Sequence, residues 1–422
     1  MEPNSKEGSQ GTQEVVSSLD EPGRAPQWLN RTVLGVGLAS LFSDWSHETA
    51  TTVLPAFLAT LGVAAAWLGL IEGVADGLSS FAKLASGFYT DRLRRRKPVA
   101  VCGYVVTALG TAAFGLATSA WHVLLARSLA WLGRGVRTPI RKALLAGSVS
   151  RETYGRAFGF ERMMDTLGAI VGPTTAFLLL SLFHHHYPTL FAVTLIPGLA
   201  AAGLIAWLVR ERERRPVGHV SFSESLRALP PRFRRFLVAV GLFGMGDFAH
   251  TMLILLATQK LTPSVGAATA ASIATGLYVL HNVLYASCSM LTGWLADRFP
   301  KGALLVISFS LAALMAAMVV ALPMNVGTLA LVFAFGGIHV GMGETLEDSF
   351  SAELVPEAQH GMAFGTLATV NGIGDFLSST VVGVLWTAFG TRVAFGYSAG
   401  LFLIAGVVIG YSARSRERAG TE

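Results

Sequence analysis

The sequence predicts an all-α membrane protein: twelve transmembrane helices arranged as two pseudo-symmetric six-helix halves. Hydrophobic residues make up 52% of the 422 residues and charged residues only 14%, whereas a soluble chain carries about 25% charged. The apolar blocks are each about 20 residues or longer, the length that crosses a hydrocarbon core of roughly 30 Å. Finally, the segment GFYTDRLRRRK (87–97) returns as GWLADRFPKGAL (293–304), with Gly87 and Asp91 standing 206 positions before Gly293 and Asp297. Each copy turns an apolar helix into a short basic hairpin, as expected of a duplicated membrane unit.

The twelve blocks fall at 30–58, 67–90, 99–118, 121–146, 156–183, 188–209, 233–260, 266–295, 303–322, 326–352, 360–388 and 392–413. They divide the chain into a tail (1–27), a first bundle (28–209), a linker (210–232), a second bundle (233–413) and a second tail (414–422). The links leave no room for a soluble domain. Arginine and lysine crowd the even-numbered links: Arg92, Arg94, Arg95, Arg96 and Lys97, then Arg151 and Arg156, then Arg210 to Arg215, then Arg414 to Arg418. The odd-numbered links carry almost none, so the positive-inside rule puts both termini in the cytoplasm of a multi-pass plasma (inner) membrane protein. The net charge of +6 is then a record of topology, and no nucleic-acid partner is needed to explain it. Residues 1–27 are polar, with no long apolar run, and read as a disordered tail rather than a cleaved signal peptide. Cys102 and Cys288 both lie inside apolar segments, which excludes a disulfide framework.

The run Gly87 to Arg92, followed by Arg94, Arg95, Arg96 and Lys97, resembles the loop motif between helices two and three of the major facilitator superfamily. Asp297-Arg298 repeats a weaker form between helices eight and nine, and the resemblance covers residues 28 to 413. An Asp near one helix end and its adjacent Arg can bind the positive N-terminus, or an acidic residue, of the opposite half. Asp91, Arg92, Asp297 and Arg298 are therefore expected to latch the cytoplasmic side. A second matched pair, GRAFGFERMMDTLG (155–168) and GMAFGTLATVNGIG (361–374), keeps the same offset and sets Asp165 opposite Asn371. Gly168, Gly172 and Pro173 resemble the start of the fifth-helix motif of proton-coupled antiporters, where small residues and a proline permit tight packing and a kink. Thr174 and Thr175 depart from that motif.

Chemistry concentrates in the first span of each half. Asp44 and His47 in span one have counterparts in Asp247 and His250 of span seven, each pair three residues apart and so expected on one helical face. In span one the stripe continues through Ser40, Glu48 and Thr51. Such a stripe cannot face lipid, where an ionisable residue costs about 2.5–3.5 kcal/mol at the helix centre. The resemblance implies that spans one, four, seven and ten line a central cavity. Proton acceptance, cation coordination and hydrogen bonding to a polar substrate all fit these pairs, and Asp44, His47, Asp247 and His250 form the alternative metal set.

Span four carries Arg127, Arg134, Arg137 and Arg141 on one face, whereas span ten carries Glu344, Glu347 and Asp348 at matched positions. Arg141 aligns with Glu347 and is expected to form an inter-domain gate with it and Glu344, although snorkelling would also explain Arg141 and Lys142. For Arg134 and Arg137, gate and substrate roles both stay open. The GRGVRT-x-x-R run resembles one in bacterial members of the superfamily with mostly unassigned substrates. Glu161 and Asp165 in span five are further proton candidates. Glu72, Asp76 and Lys83 read as a structural network, His281, Asn282, His339 and Asp375 as polar points within spans, and His184 to His186 as a solvated link.

No phosphate-binding Gly-rich loop with Lys and no partnered nucleophile is present, which argues against ATP-driven transport and against an enzyme. The expectation is a monomeric secondary transporter of alternating access, without cofactor, exchanging protons for a small organic solute or drug. A transition-metal or metal-chelate carrier is the alternative, and a non-transporting receptor the second alternative.

Overall fold

The computed structural model describes residues 28–63, 65–184, 186–211 and 221–418, with the side chains of 65, 66, 69 and 412–418 left out. The tails at 1–27 and 419–422 and most of the basic run at 210–215 lie outside the described residues. The first half contains α1 (Arg31–Thr60), α2 (Ala65–Thr90), α3 (Lys97–Ala112), α4 (Ala120–Ala146), α5 (Tyr154–Leu182), α6 (Tyr187–Val193) and α7 (Leu195–Leu208). A short helix in the linker, α8 (Phe222–Arg227), precedes the second half: α9 (Pro231–Gly244), α10 (Thr251–Val265), α11 (Ala267–Ala296), α12 (Lys301–Ala321), α13 (Val326–Leu354), α14 (His360–Phe389) and α15 (Thr391–Arg418). The pairs α6–α7 and α9–α10 each make one interrupted span, so six spans stand in each half.

Local chemistry sets the ends. Asn30 accepts hydrogen bonds from the Thr32 and Val33 amides to start α1, and Asn325 accepts from Thr328 to start α13. Gly266 and Gly390 turn the chain between α10 and α11 and between α14 and α15 at φ of 82° and 86°, a region where a β-carbon is strained. His186 caps α6 by accepting from the Thr189 amide. Among the described residues, eight helical segments are long and apolar enough to cross a membrane on composition alone. The spans that fall short, α1, α2, α4 and α9–α10, are polar, charged or interrupted, which marks them as the ones with a face turned from lipid.

The sequence predicts one unbroken helix over 233–260, but the backbone leaves the helix between Gly244 and Thr251. Gly244 and Gly246 weaken the helix there, and the freed backbone groups find partners in neighbouring helices. Ser378 donates to the Asp247 carbonyl, Ser379 accepts from the Ala249 amide at 3.3 Å, and Tyr397 donates to the Met245 carbonyl at 3.1 Å. Irregular backbone at membrane depth is tolerated where protein satisfies it in this way. Asp247 and His250 consequently do not share a helical face as Asp44 and His47 do.

The halves meet along two matched seams, α2 against α14 and α5 against α11. A β-carbon at Gly87 would lie 2.5 Å from the Gly361 carbonyl oxygen, and one at Gly159 would lie 2.5 Å from the Ser289 carbonyl oxygen. Gly155 and Gly293 are in mutual backbone contact in the same manner. Small residues at these duplicated positions let the two backbones touch.

Candidate functional site

Both seams end in a carboxylate that caps a helix of the other half. Asp91 accepts from the Gly361 and Met362 amides at 2.9 and 2.8 Å, at the start of α14. Asp297 accepts from the Gly155 and Arg156 amides at 2.7 and 3.2 Å, at the start of α5. A carboxylate at a helix N-terminus satisfies orphan amides and complements the helix dipole. Each cap is supported by a cation. Arg96 reaches Asp91 at 3.2 Å and Arg156 reaches Asp297 at 2.6 Å, whereas Arg92 donates to the Phe88 carbonyl and Ser225, and Arg298 lies over the Trp294 ring at 3.4 Å. Arg96 is 3% exposed, so it is more than an insertion signal.

Deeper along the same interface, Lys142 of α4 meets Asp348 of α13 at 2.5 Å. Arg162 of α5 reaches Glu344 at 3.1 Å and Asp348 at 3.5 Å, and Tyr285 donates to Glu344. With Arg156–Asp297, these are the cross-half ion pairs among the described residues. The expected partnership of Arg141 with Glu347 does not form. Arg141 instead pairs within its own half, at 2.7 Å from Glu161 and 3.5 Å from Asp165, and donates to Ser40 at 2.6 Å. One residue is about 100° of helix; it turns Arg141 inward toward α1 and α5 and leaves Lys142 facing α13. Neither side chain snorkels, since both residues are buried. Arg162 has no matching cation in the repeat, because position 368 is Ala, so the offset gave no signal for it.

The first half neutralises most of its own charge. Asp44 lies 3.2 Å from Arg134, Glu72 lies 2.7 Å from Arg127, and Asp76 accepts from Trp131 at 2.6 Å. Glu72 and Asp76 thus look to α4 rather than to each other. His47 packs on Trp131, contacts Thr51 at 3.3 Å and stands 3.8 Å from Glu48. Arg137 donates to Ser43 at 2.6 Å and lies over the Tyr104 ring at 4.0 Å. Gly168 and Gly172 bring α5 against α1 at Leu41 and Glu48, and α5 continues through Pro173.

The second half surrounds a cavity of about 290 Å³. Asp247 and His250 reach it from the broken span, His339, Glu344 and Glu347 from α13, and Asn371 and Asp375 from α14. Glu347 accepts from Asn371 at 2.8 Å. The Asp247 carboxylate has no hydrogen-bond or ion-pair partner among the described residues. The ring of His281, one of the polar points within spans, is buried with neither nitrogen hydrogen-bonded among the described residues and packs 4.7 Å from His250. The metal set of Asp44, His47, Asp247 and His250 is not gathered: no three His, Cys, Asp or Glu side chains converge as a metal-binding group among the described residues.

Two six-helix repeats, locked together at one end around an ionisable interior, define an integral membrane transporter. The chain belongs to the Major Facilitator Superfamily, whose family model matches residues 36–261 and 236–422. It is 26% identical over 381 residues to an uncharacterised MFS-type transporter of Methanocaldococcus jannaschii, covering 90% of this chain and 94% of that one. A shorter stretch of 109 residues is 35% identical to the multidrug resistance protein MdtH of Photorhabdus laumondii, 25% of this chain and 27% of that one. The fold is shared with FucP, the E. coli fucose:proton symporter, whose structure in the outward conformation is 17% identical, covers 90% of this chain and 98% of that chain, and gives a TM-score of 0.73.

Proposed function

We propose that this transporter is a proton-coupled antiporter that exports a small organic solute across the plasma (inner) membrane as a monomer, with both termini cytoplasmic. The observation that carries the reading is the second-half cavity. Of the carboxylates it holds, Asp247, Glu347 and Asp375 have no cation within ion-pair distance among the described residues, while the end bearing the basic 91–97 hairpin is sealed by helix caps and ion pairs. The basic links favour a cytoplasmic assignment for that sealed end, which makes the described conformation outward-facing. Export then requires the Asp91, Asp297, Lys142 and Arg162 contacts to break, so that the cavity opens to the cytoplasm while the opposite end closes. Buried carboxylates without a cation suit either a proton or a solute. The partial likeness to a multidrug resistance protein supports a drug-like cargo.

The test is reconstitution into proteoliposomes with an imposed pH gradient and a panel of fluorescent organic solutes. Uptake driven by the gradient and abolished by an uncoupler is expected. Solute flux indifferent to the gradient would refute proton coupling, and absence of flux for the whole panel would refute the choice of cargo.

A further inference from the structure

Positions 141 and 165 correspond to positions 347 and 371 at the 206-residue offset, and both pairs are in contact. In the first half the pair is ionic: Arg141 lies 3.5 Å from Asp165, with Glu161 at 2.7 Å as a second counter-charge. In the second half the same contact is Glu347 with Asn371, at 2.8 Å. The geometry was kept while the cation was replaced by a carboxylate and the carboxylate by an amide. Glu347 is 7% exposed, lines the cavity, and has no cation within ion-pair distance among the described residues.

From α4, Lys142 acts on Glu347 as a nearby cation, but its ammonium is held by Asp348 at 2.5 Å. On α13 itself, Asp348 is taken by Lys142 and Arg162, and Glu344 by Arg162 and Tyr285. From α14 come Asn371 and Asp375, and from the broken span comes Asp247; none is a cation. The ring of His339, about two helical turns before Glu347 on α13, is 3% exposed and lines the same cavity. Phe243 and Phe248 supply aromatic wall, a surface that attracts cations. The volume of about 290 Å³ is at the lower end of the range for small-molecule sites, roughly 300–1,000 Å³.

We infer that Glu347 is the exchange group of this cavity, holding a proton in one state and the charge of a lipophilic organic cation in the other. The inference rests on the antiport reading and names its substrate class. When the cation arrives, the O–H bond of the Glu347 carboxylic acid breaks, the proton leaves to water in the cavity, and the carboxylate pairs with the cation. The charge inside the site is unchanged, which avoids a net buried charge in either state. Asn371 donates to the side chain throughout and positions it.

The experiment is calorimetry on the full-length protein in detergent, with tetraphenylphosphonium as the probe and the equally shaped anion tetraphenylborate as control, each in two buffers of different ionisation enthalpy. The wild type should bind the phosphonium with release of close to one proton and should not bind the borate. Glu347→Gln should weaken phosphonium binding roughly thirtyfold or more and abolish the release. Equal affinity and equal proton release in Glu347→Gln, no phosphonium binding by the wild type, or equal binding of the borate would each overturn the inference. Should Glu347→Gln fail to fold, carbodiimide labelling of wild-type protein decides: Glu347 should be modified, and phosphonium should protect it. Absence of modification, or absence of protection, counts against the assignment. Proton-releasing binding without gradient-driven flux would uphold the site and refute antiport. Gradient-driven flux of a solute that ignores Glu347 would do the reverse.

Discussion

Lys142 and Asp348 are 206 residues apart, so equivalent positions of the two repeats touch each other, and the pair stands on the axis that relates the halves. Its side chains are 10% and 4% exposed at a separation of 2.5 Å. Breaking a buried pair by removing one partner costs about 3–5 kcal/mol. For Lys142→Met the lower figure applies, because Asp348 keeps Arg162 at 3.5 Å. Asp348→Asn removes the acceptor from both cations and belongs at the upper figure, although Arg162 retains Glu344 and Asp165. This contact joins the halves only while this end is closed, so its loss falls on the closed state alone. About 3 kcal/mol is a factor of roughly 150, enough to bring a closed state favoured about 99:1 to near parity.

Maleimide labelling reads that ratio. Ala352 is wholly buried, in a cluster made otherwise almost entirely of first-half residues. In a background with Cys102→Ser and Cys288→Ser, Ala352→Cys should label slowly, and it should label about fiftyfold faster once Lys142→Met is added. The double variant Lys142→Met with Asp348→Asn should be less open than the sum of the two single changes, by about 2 kcal/mol. Strict additivity, or unchanged labelling in both single variants, would refute the role of this pair in closure.

Other perturbations separate the remaining contacts. Asp91→Asn and Asp297→Asn each weaken one helix cap, by about 0.5–2 kcal/mol, and should accelerate the same labelling to similar extents because the caps are duplicates. Leucine at Gly155 or Gly293 would place side-chain atoms in the facing backbone and should hold this end open in a folded protein, seen as fast labelling with an unchanged elution profile. Asp44→Asn leaves Arg134 without its counter-charge and should lower thermal stability, while Asp247→Asn, whose carboxylate has no partner to lose, should leave it unchanged. Equal melting temperatures for those two variants would contradict the paired and unpaired assignments.

The twelve spans and the duplication were legible because each rests on long stretches of sequence. Twenty apolar residues have few alternatives in a membrane, and one offset of 206 residues aligned hairpins, glycines and carboxylates together. Contacts were legible at the duplicated hairpins, where an Asp at a helix end points to the positive N-terminus of a helix in the opposite half. Asp91 and Asp297 sit at marked helix ends, but the choice of Arg96 and Arg156 as their cations depends on how each hairpin folds back. Taking Arg141 with Glu347 as a gate treated equivalent positions as facing ones. Equivalence locates residues at the same depth, and a single step of about 100° then decides which of two neighbours crosses the interface. The break at 245–250 was hidden for a different reason: Ser378, Ser379 and Tyr397, which satisfy its backbone, lie more than a hundred residues downstream.

The divergence of the two halves bears on how closure and the cavity could be coupled. In the first half, Asp44, Glu72, Glu161 and Asp165 all have arginine partners within the half, so separation of the halves leaves those pairs intact. In the second half, Asp348 and Glu344 take their cations from α4 and α5 across the interface. Opening this end therefore strips cations from the acidic half and leaves more uncompensated carboxylate around the Glu347 cavity at the moment it meets the new compartment. Under the proposed function, that is when the cavity gains most from a cation, whether a proton or the charged solute. Asp348→Asn lowers this demand as well as weakening closure. A transporter that opened more readily yet captured tetraphenylphosphonium more weakly from the side of the basic hairpins would be the signature of that coupling, and stronger capture would show that closure and charge act separately.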